Sequence, residues 1–95
     1  MTRYAYVLII SGTTKSRSDV QKFLDTRPEI INWYANLPNA IFLISEKTAT
    51  ELHESLKPFL INDNYIILDV DTDRNGWMPK KTWDFLKGKK APWEV

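Results

Sequence analysis

Tyr4-Ala5-Tyr6-Val7-Leu8-Ile9-Ile10 is an unbroken apolar run, rich in aromatic and β-branched side chains, with no polar residue at alternate positions. A strand with one wet face alternates apolar and polar residues, so this pattern predicts a strand, β1, that is covered on both faces. Tyr4, Tyr6, Leu8 and Ile10 share one side of it, and Ala5, Val7 and Ile9 share the other. Each side needs a packing partner. Helices can cover one of them, which leaves the second to a further helix or to another subunit.

Outward from this run, Gly12-Thr13-Thr14 breaks the strand, and Ser18 with Gln21 three positions on reads as a capping box for a helix that buries Val20, Phe23 and Leu24. Arg27-Pro28 ends that helix, because proline pushes the preceding residue out of the α region. Ile30 to Leu37 has helix-like spacing at Ile30, Trp33, Tyr34 and Leu37, but Leu37-Pro38-Asn39 has turn chemistry and Ala40-Ile41-Phe42-Leu43-Ile44 is a clear strand. A β2–β3 hairpin is the simpler account.

Thr48 and Glu51 form a second capping box, followed by Leu52, Leu56, Phe59 and Leu60 on one helical face. Pro58 should end or kink this helix near Lys57, since it lacks a backbone donor. Tyr65 to Val70 reads as a fourth strand and Asp71 to Gly76 as a polar loop. Pro79 and Gly88 then bracket a short third helix, and Lys89 to Val95 should fray. The order βαββαβ plus one helix predicts a single ferredoxin-like α+β domain over residues 1–95, with a four-stranded antiparallel sheet. A chain of 95 residues buries only roughly 60–65% of its unfolded surface, so a homodimer packed sheet to sheet through Tyr4, Tyr6 and Leu8 is the expected assembly.

Composition narrows the function classes. Hydrophobic residues make up 43% and charged residues 26%, which excludes a disordered or fibrous chain. The chain has no cysteine, which removes disulfides, thiolate metal sites and cysteine nucleophiles and favours a cytoplasmic address. The apolar run at the start is too short to span a bilayer, and it lacks a signal-peptide cleavage pattern. Charge is uneven: residues 1–79 carry 8 basic and 10 acidic side chains, and residues 80–95 carry 5 lysines against Asp84 and Glu94. The body is slightly acidic and the tail basic.

Leu8-Ile9-Ile10-Ser11, Trp33-Tyr34 with Leu37, Leu52 through Lys57-Pro58-Phe59-Leu60, and above all Gly76-Trp77-Met78-Pro79-Lys80 followed by Trp83 carry a family resemblance. On these residues the chain resembles the small SinR-like proteins, distant relatives of the CRISPR adaptation endoribonucleases and the VapD-type toxins. The resemblance covers Val7 to about Leu86 and implies a ferredoxin-like fold. In the nuclease relatives an aspartate just after β1, paired with its twin across a dimer, is held to bind a divalent metal. Such a pair would polarise a phosphoryl oxygen and activate water. Here the matching stretch is Ser11-Gly12-Thr13-Thr14, which has no carboxylate. The resemblance therefore implies a fold more than an activity.

Candidate sites follow from residue chemistry. Asp69, Asp71 and Asp73 look like the start of a calcium loop, but Arg74 and Lys80 stand where such a loop needs glycine and a bidentate glutamate. They remain candidates for a weak Mg²⁺ or Mn²⁺ site, within the reading that there is no cofactor and no metal. His53, the sole histidine, should face solvent without a catalytic partner. Lys80, Lys81, Lys87, Lys89 and Lys90, with Trp83 and Trp93 among them, could hold phosphates while an indole stacks on a base. They equally describe a helix docking Trp83 and Leu86 while its lysines stay wet. Trp33, Tyr34, Tyr4 and Tyr6 could form an aromatic platform, or pack in the core. A metal chaperone would need a cysteine pair, and an acylphosphatase a glycine-rich cradle with an arginine after β1, where this chain has Gly12 alone and Arg17 before the helix.

These readings converge on a non-catalytic homodimer that binds RNA, DNA or a protein partner and has no membrane segment. The competing expectation is a metal-dependent endoribonuclease or toxin using Asp69, Asp71 or Asp73.

Overall fold

Every strand and helix expected from the sequence is present in the computed structural model, which describes residues 2–11 and 16–94. The elements are β1 (Tyr4–Ser11), α1 (Arg17–Asp25), β2 (Asn32–Leu37), β3 (Ala40–Ser45), α2 (Ala49–Leu60), β4 (Asn64–Asp69) and α3 (Lys80–Gly88). The strands form one antiparallel sheet in the order β2-β3-β1-β4, the ferredoxin-like arrangement. The apolar first strand lies inside the sheet, paired with β3 from Tyr4↔Ser45 to Ile9↔Ala40 and with β4 from Tyr6↔Asp69 to Ser11↔Asn64.

Ile30 to Leu37 resolves in favour of the hairpin. Asn32, Trp33 and Tyr34 pair with Ile44, Leu43 and Phe42, and the register shifts between Tyr34 and Leu37 before the Pro38-Asn39 turn. Extended backbone lets Trp33 and Tyr34 point to opposite faces, so both are used.

Two apolar clusters flank the sheet. Tyr6, Leu8 and Ile10 join Val20 and Leu24 of α1 and Leu52, Leu56 and Leu60 of α2 in the larger one. Ala5 and Ile44 join Leu86 of α3 in the smaller, with Phe42, Val70, Trp83 and Phe85 packed around them. The expected dimer residues Tyr6 and Leu8 therefore lie on the wrong face. Leu8 is 0% exposed within the single chain, because α1 and α2 cover it on that side. Of the three, only Tyr4 keeps appreciable exposure.

Local chemistry corrects three further expectations. The first helix is capped by Ser16, whose hydroxyl accepts from the Asp19 amide at 3.1 Å, so Ser18 lies inside the first turn. Thr48 and Glu51 do form both halves of a capping box, at 3.1 and 3.0 Å. That helix nevertheless runs through Pro58 to Leu60. Proline there forfeits a bond to the Glu54 carbonyl, but Glu54 and Pro58 are both exposed, so water can satisfy that carbonyl.

The tail is not frayed over residues 89–94. Lys89 adopts the left-handed conformation at φ 50° and its amide donates to the Phe85 carbonyl at 3.1 Å, closing α3. Arg3 donates to the Lys89 carbonyl at 3.0 Å and pairs with Glu94, while Asn32 Nδ2 donates to the Lys90 carbonyl at 2.9 Å. Ala91 is buried beneath this wrap. No helix among the described residues is long and apolar enough to cross a membrane.

Candidate functional site

α3 lies along β2 and β3 and divides its face of the sheet into two concavities. Thr82 meets Asn36 at 3.0 Å near the start of the helix, and the Tyr34 and Phe85 rings meet farther along, with centroids 5.6 Å apart. The helix is held at its C-terminal end by Asp71. That carboxylate accepts from Lys89 Nζ at 2.6 Å and from the Ala5 amide at 3.0 Å. Burial alone would favour the neutral acid, but the Lys89 and Ala5 hydrogen bonds and the charges of Lys89 and Arg74 outweigh it and hold the carboxyl below the usual aspartate range.

The first concavity opens between α3 and β2. It has a volume of about 640 Å³ and is lined by Asn32, Tyr34, Phe85, Asp84 and three lysines, Lys81, Lys87 and Lys90. Helical spacing puts Lys81, Asp84, Phe85 and Gly88 on one flank of α3, and strand alternation puts Asn32 and Tyr34 on the α3 side of β2. Lys81, Lys87 and Lys90 are exposed and make no ion pair with any described residue. The cleft is thus a cationic rim around a floor of two aromatic rings.

The other two lysines of the predicted set do different work. Lys80 is not part of the cleft lining and pairs with Asp84 at 2.7 Å, an exposed i,i+4 contact worth at most about 0.5 kcal/mol. Lys89 is committed to Asp71. Trp83 is half-buried against the smaller cluster, so it anchors the helix and does not stack in the cleft, whereas Trp93 is exposed on the wrap.

The candidate metal residues do not converge. Asp69 accepts from the Asp71 amide at 2.8 Å and so shapes the turn after β4, Asp71 is taken by Lys89, and Asp73 stands apart on the loop. Among the described residues no three His, Asp or Glu side chains form a cation site. Gly12, Thr13 and Thr14, the carboxylate-free stretch after β1, lie outside the described residues.

The four-ring platform is also divided. Tyr6 and Trp33 pack with the larger cluster, where Trp33 Nε1 donates to Asp25 at 2.7 Å and the Tyr6 hydroxyl donates to the Lys47 carbonyl at 2.6 Å. Burial first, and then the negative Asp69, push the Tyr6 hydroxyl above its ordinary pKa. Only Tyr34 reaches the cleft. His53 is exposed as expected, but its Nδ1 shares a 2.8 Å hydrogen bond with the Tyr65 hydroxyl, a partner that sequence separation hid.

Asn32, Tyr34 and Phe85 were not singled out as a set by the sequence. Their shared face follows only once β2 is accepted as a strand and α3 is laid against it. The available signal was period two at Asn32 and Tyr34 combined with period 3.6 at Lys81 and Phe85. No protein-family model, no curated protein and no solved structure matches the chain.

Proposed function

We propose that this chain is a non-catalytic, homodimeric binding protein of the SinR-like group, and that the cleft between α3 and β2 holds single-stranded nucleic acid. One observation carries the reading: Lys81, Lys87 and Lys90, none in an ion pair with a described residue, converge on a concavity floored by Tyr34 and Phe85, with Asp84 the one acid in its lining. Unpaired ammonium groups neutralise phosphates and release counterions, and aromatic faces accept bases of any sequence. Asn32, whose side-chain amide donates to the Lys90 carbonyl, ties Lys90 to the rim. The placement within the SinR-like group rests on the Gly76-Trp77-Met78-Pro79-Lys80 string with Trp83.

The absence of catalysis is supported by what the acidic residues already do. Asp71, the carboxylate on which a hydrolytic role would most depend, is spent on holding α3 through Lys89. The dimer is supported by the part of the sheet that α3 leaves open. Ile9, Ile66 and Leu68 are 37%, 52% and 42% exposed and adjacent across the β1–β4 pairing, on a sheet edge that carries no proline or lysine. A second copy would bury this strip against its own equivalent.

Labelled RNA and DNA oligonucleotides, incubated with the protein in Mg²⁺ or Mn²⁺ and in EDTA, test the reading. Retarded migration of intact strands in either medium is the expected result. Metal-dependent cleavage abolished by Asp71→Ala would replace it with the nuclease reading. A light-scattering mass of twice 11.1 kDa is expected for the dimer, and a mass of one chain would exclude it.

A further inference from the structure

The second concavity lies on the opposite flank of α3 and differs in kind from the basic cleft. It has a volume of about 430 Å³, within the range of small-ligand pockets. Its apolar wall is Phe42, Met78 and Trp83, and its mouth is the loop Asp73-Arg74-Asn75-Gly76-Trp77. Trp77 is 99% exposed, so this indole stands at the rim with almost none of its surface covered by its own chain. Burying an indole normally contributes more than any other side chain, so leaving one bare at a cavity mouth forgoes that gain. The turn that presents it is fixed. Gly76 has φ +158°, a conformation open to glycine and rarely to other residues, and its amide donates to Asn75 Oδ1 at 2.8 Å.

The polar groups at the mouth have a definite hydrogen-bonding character. Arg74 Nη1 donates to the Val70 carbonyl at 2.9 Å and to the Asp71 carbonyl, which holds the guanidinium in place. Its Nε and Nη2 donors make no bond to a described residue. Asn75 Nδ2 is likewise unengaged, and the Asp73 carboxylate, an acceptor, pairs with no described cation. A matching ligand is flat, stacks on indole, and carries two acceptors for a guanidinium fork next to donors for a carboxylate.

We propose that this pocket takes one guanine base. Guanine presents O6 and N7 as a paired acceptor edge, the pattern arginine reads in a bidentate manner, and its N1–H and N2–H₂ donors suit Asp73. Adenine has only one acceptor on that edge beside a donor. Pyrimidines offer half the stacking area to Trp77 and Trp83. The proposal rests on the nucleic-acid reading of the cleft: a strand held along one flank of α3 has a base-reading pocket on the other.

Guanosine, adenosine and uridine 5′-monophosphates, titrated separately into ¹⁵N-labelled protein, test it through the four indole N–H resonances, assigned with Trp33→Phe, Trp77→Phe and Trp93→Phe variants. Saturable shifts of the Trp77 and Trp83 signals with the guanosine nucleotide, at least 5-fold tighter than with the other two, are expected. Trp77→Ala, whose side chain is too exposed to affect folding, should weaken the guanosine affinity 5-fold or more, and Arg74→Lys should erase the preference for guanine. No shift up to millimolar nucleotide, or equal shifts with all three, would overturn the assignment. Oligonucleotide retention without a mononucleotide response refutes the pocket and leaves the cleft standing. The converse result supports the pocket and refutes the cleft.

Discussion

The two faces of the sheet are built to different standards. Under α1 and α2, Leu8, Leu24, Leu43, Leu52, Leu56 and Leu60 are at most 1% exposed, and the apolar stripes of both helices are consumed by that contact. On the other face a single nine-residue helix covers β2 and β3, and Ile9, Ile66 and Leu68 remain open beyond it. The first face stores stability. The second is partly unfinished, and the two concavities that flank α3, the bare Trp77 and the lysines outside ion pairs lie on it. The binding surfaces proposed above therefore all lie on the α3 side.

Truncation on the sealed side should be the costliest test of this difference. Leu8→Ala leaves a cavity where helices and sheet cannot collapse and is expected to lower unfolding stability by about 3 kcal/mol, measured by urea denaturation. A loss under about 1 kcal/mol would show that the larger cluster is loosely packed.

Next in size is the link that holds α3 to the sheet. Asp71→Ala leaves Lys89 unpaired and the Ala5 amide without its acceptor, and should cost about 1–2 kcal/mol at neutral pH. The folded pKa of Asp71 lies below its unfolded value, so this stabilisation is complete above the ordinary aspartate pKa near 4 and is lost as pH falls through the depressed folded value. Wild type and variant should therefore converge in stability under strong acid, and a gap that persists there would rule out the ion pair as its source.

Thr48→Ala removes one half of the α2 capping box and should cost about 1 kcal/mol, again on the sealed side. The smallest effect belongs to the open strip. Ile66→Ser should change the stability of one chain by about 0.5 kcal/mol or less while shifting the light-scattering mass from two chains to one. A large stability loss with no change in mass would mean that the strip packs within the chain.

Much of this division was readable in Tyr4 to Ile10, whose apolar residues on both faces required two layers of cover. Which layer was complete was not readable, because the alternation places Tyr6 and Leu8 together without saying which helices reach them. The proline rule misjudged Pro58 because the bond it forfeits faces water, a matter of helix orientation and not of local sequence. The wrap of residues 89–94 depends on Arg3 and Asn32, partners far away in the chain. Among the lysines, sequence supplied the set, but only the fold separated Lys81, Lys87 and Lys90 from Lys80 and Lys89, whose charges are already paired.

The salt dependence of oligonucleotide binding tests the central claim most directly. Fluorescence anisotropy with a labelled single strand, repeated from low to high salt, gives the slope of log affinity against log salt. Each phosphate neutralised on a single strand contributes about 0.7 to that slope. The Lys81→Ala, Lys87→Ala, Lys90→Ala triple variant should lose about 2 from it, while Lys80→Ala should leave it nearly unchanged. An equal slope in the triple variant and the wild type would contradict the assignment of the cleft.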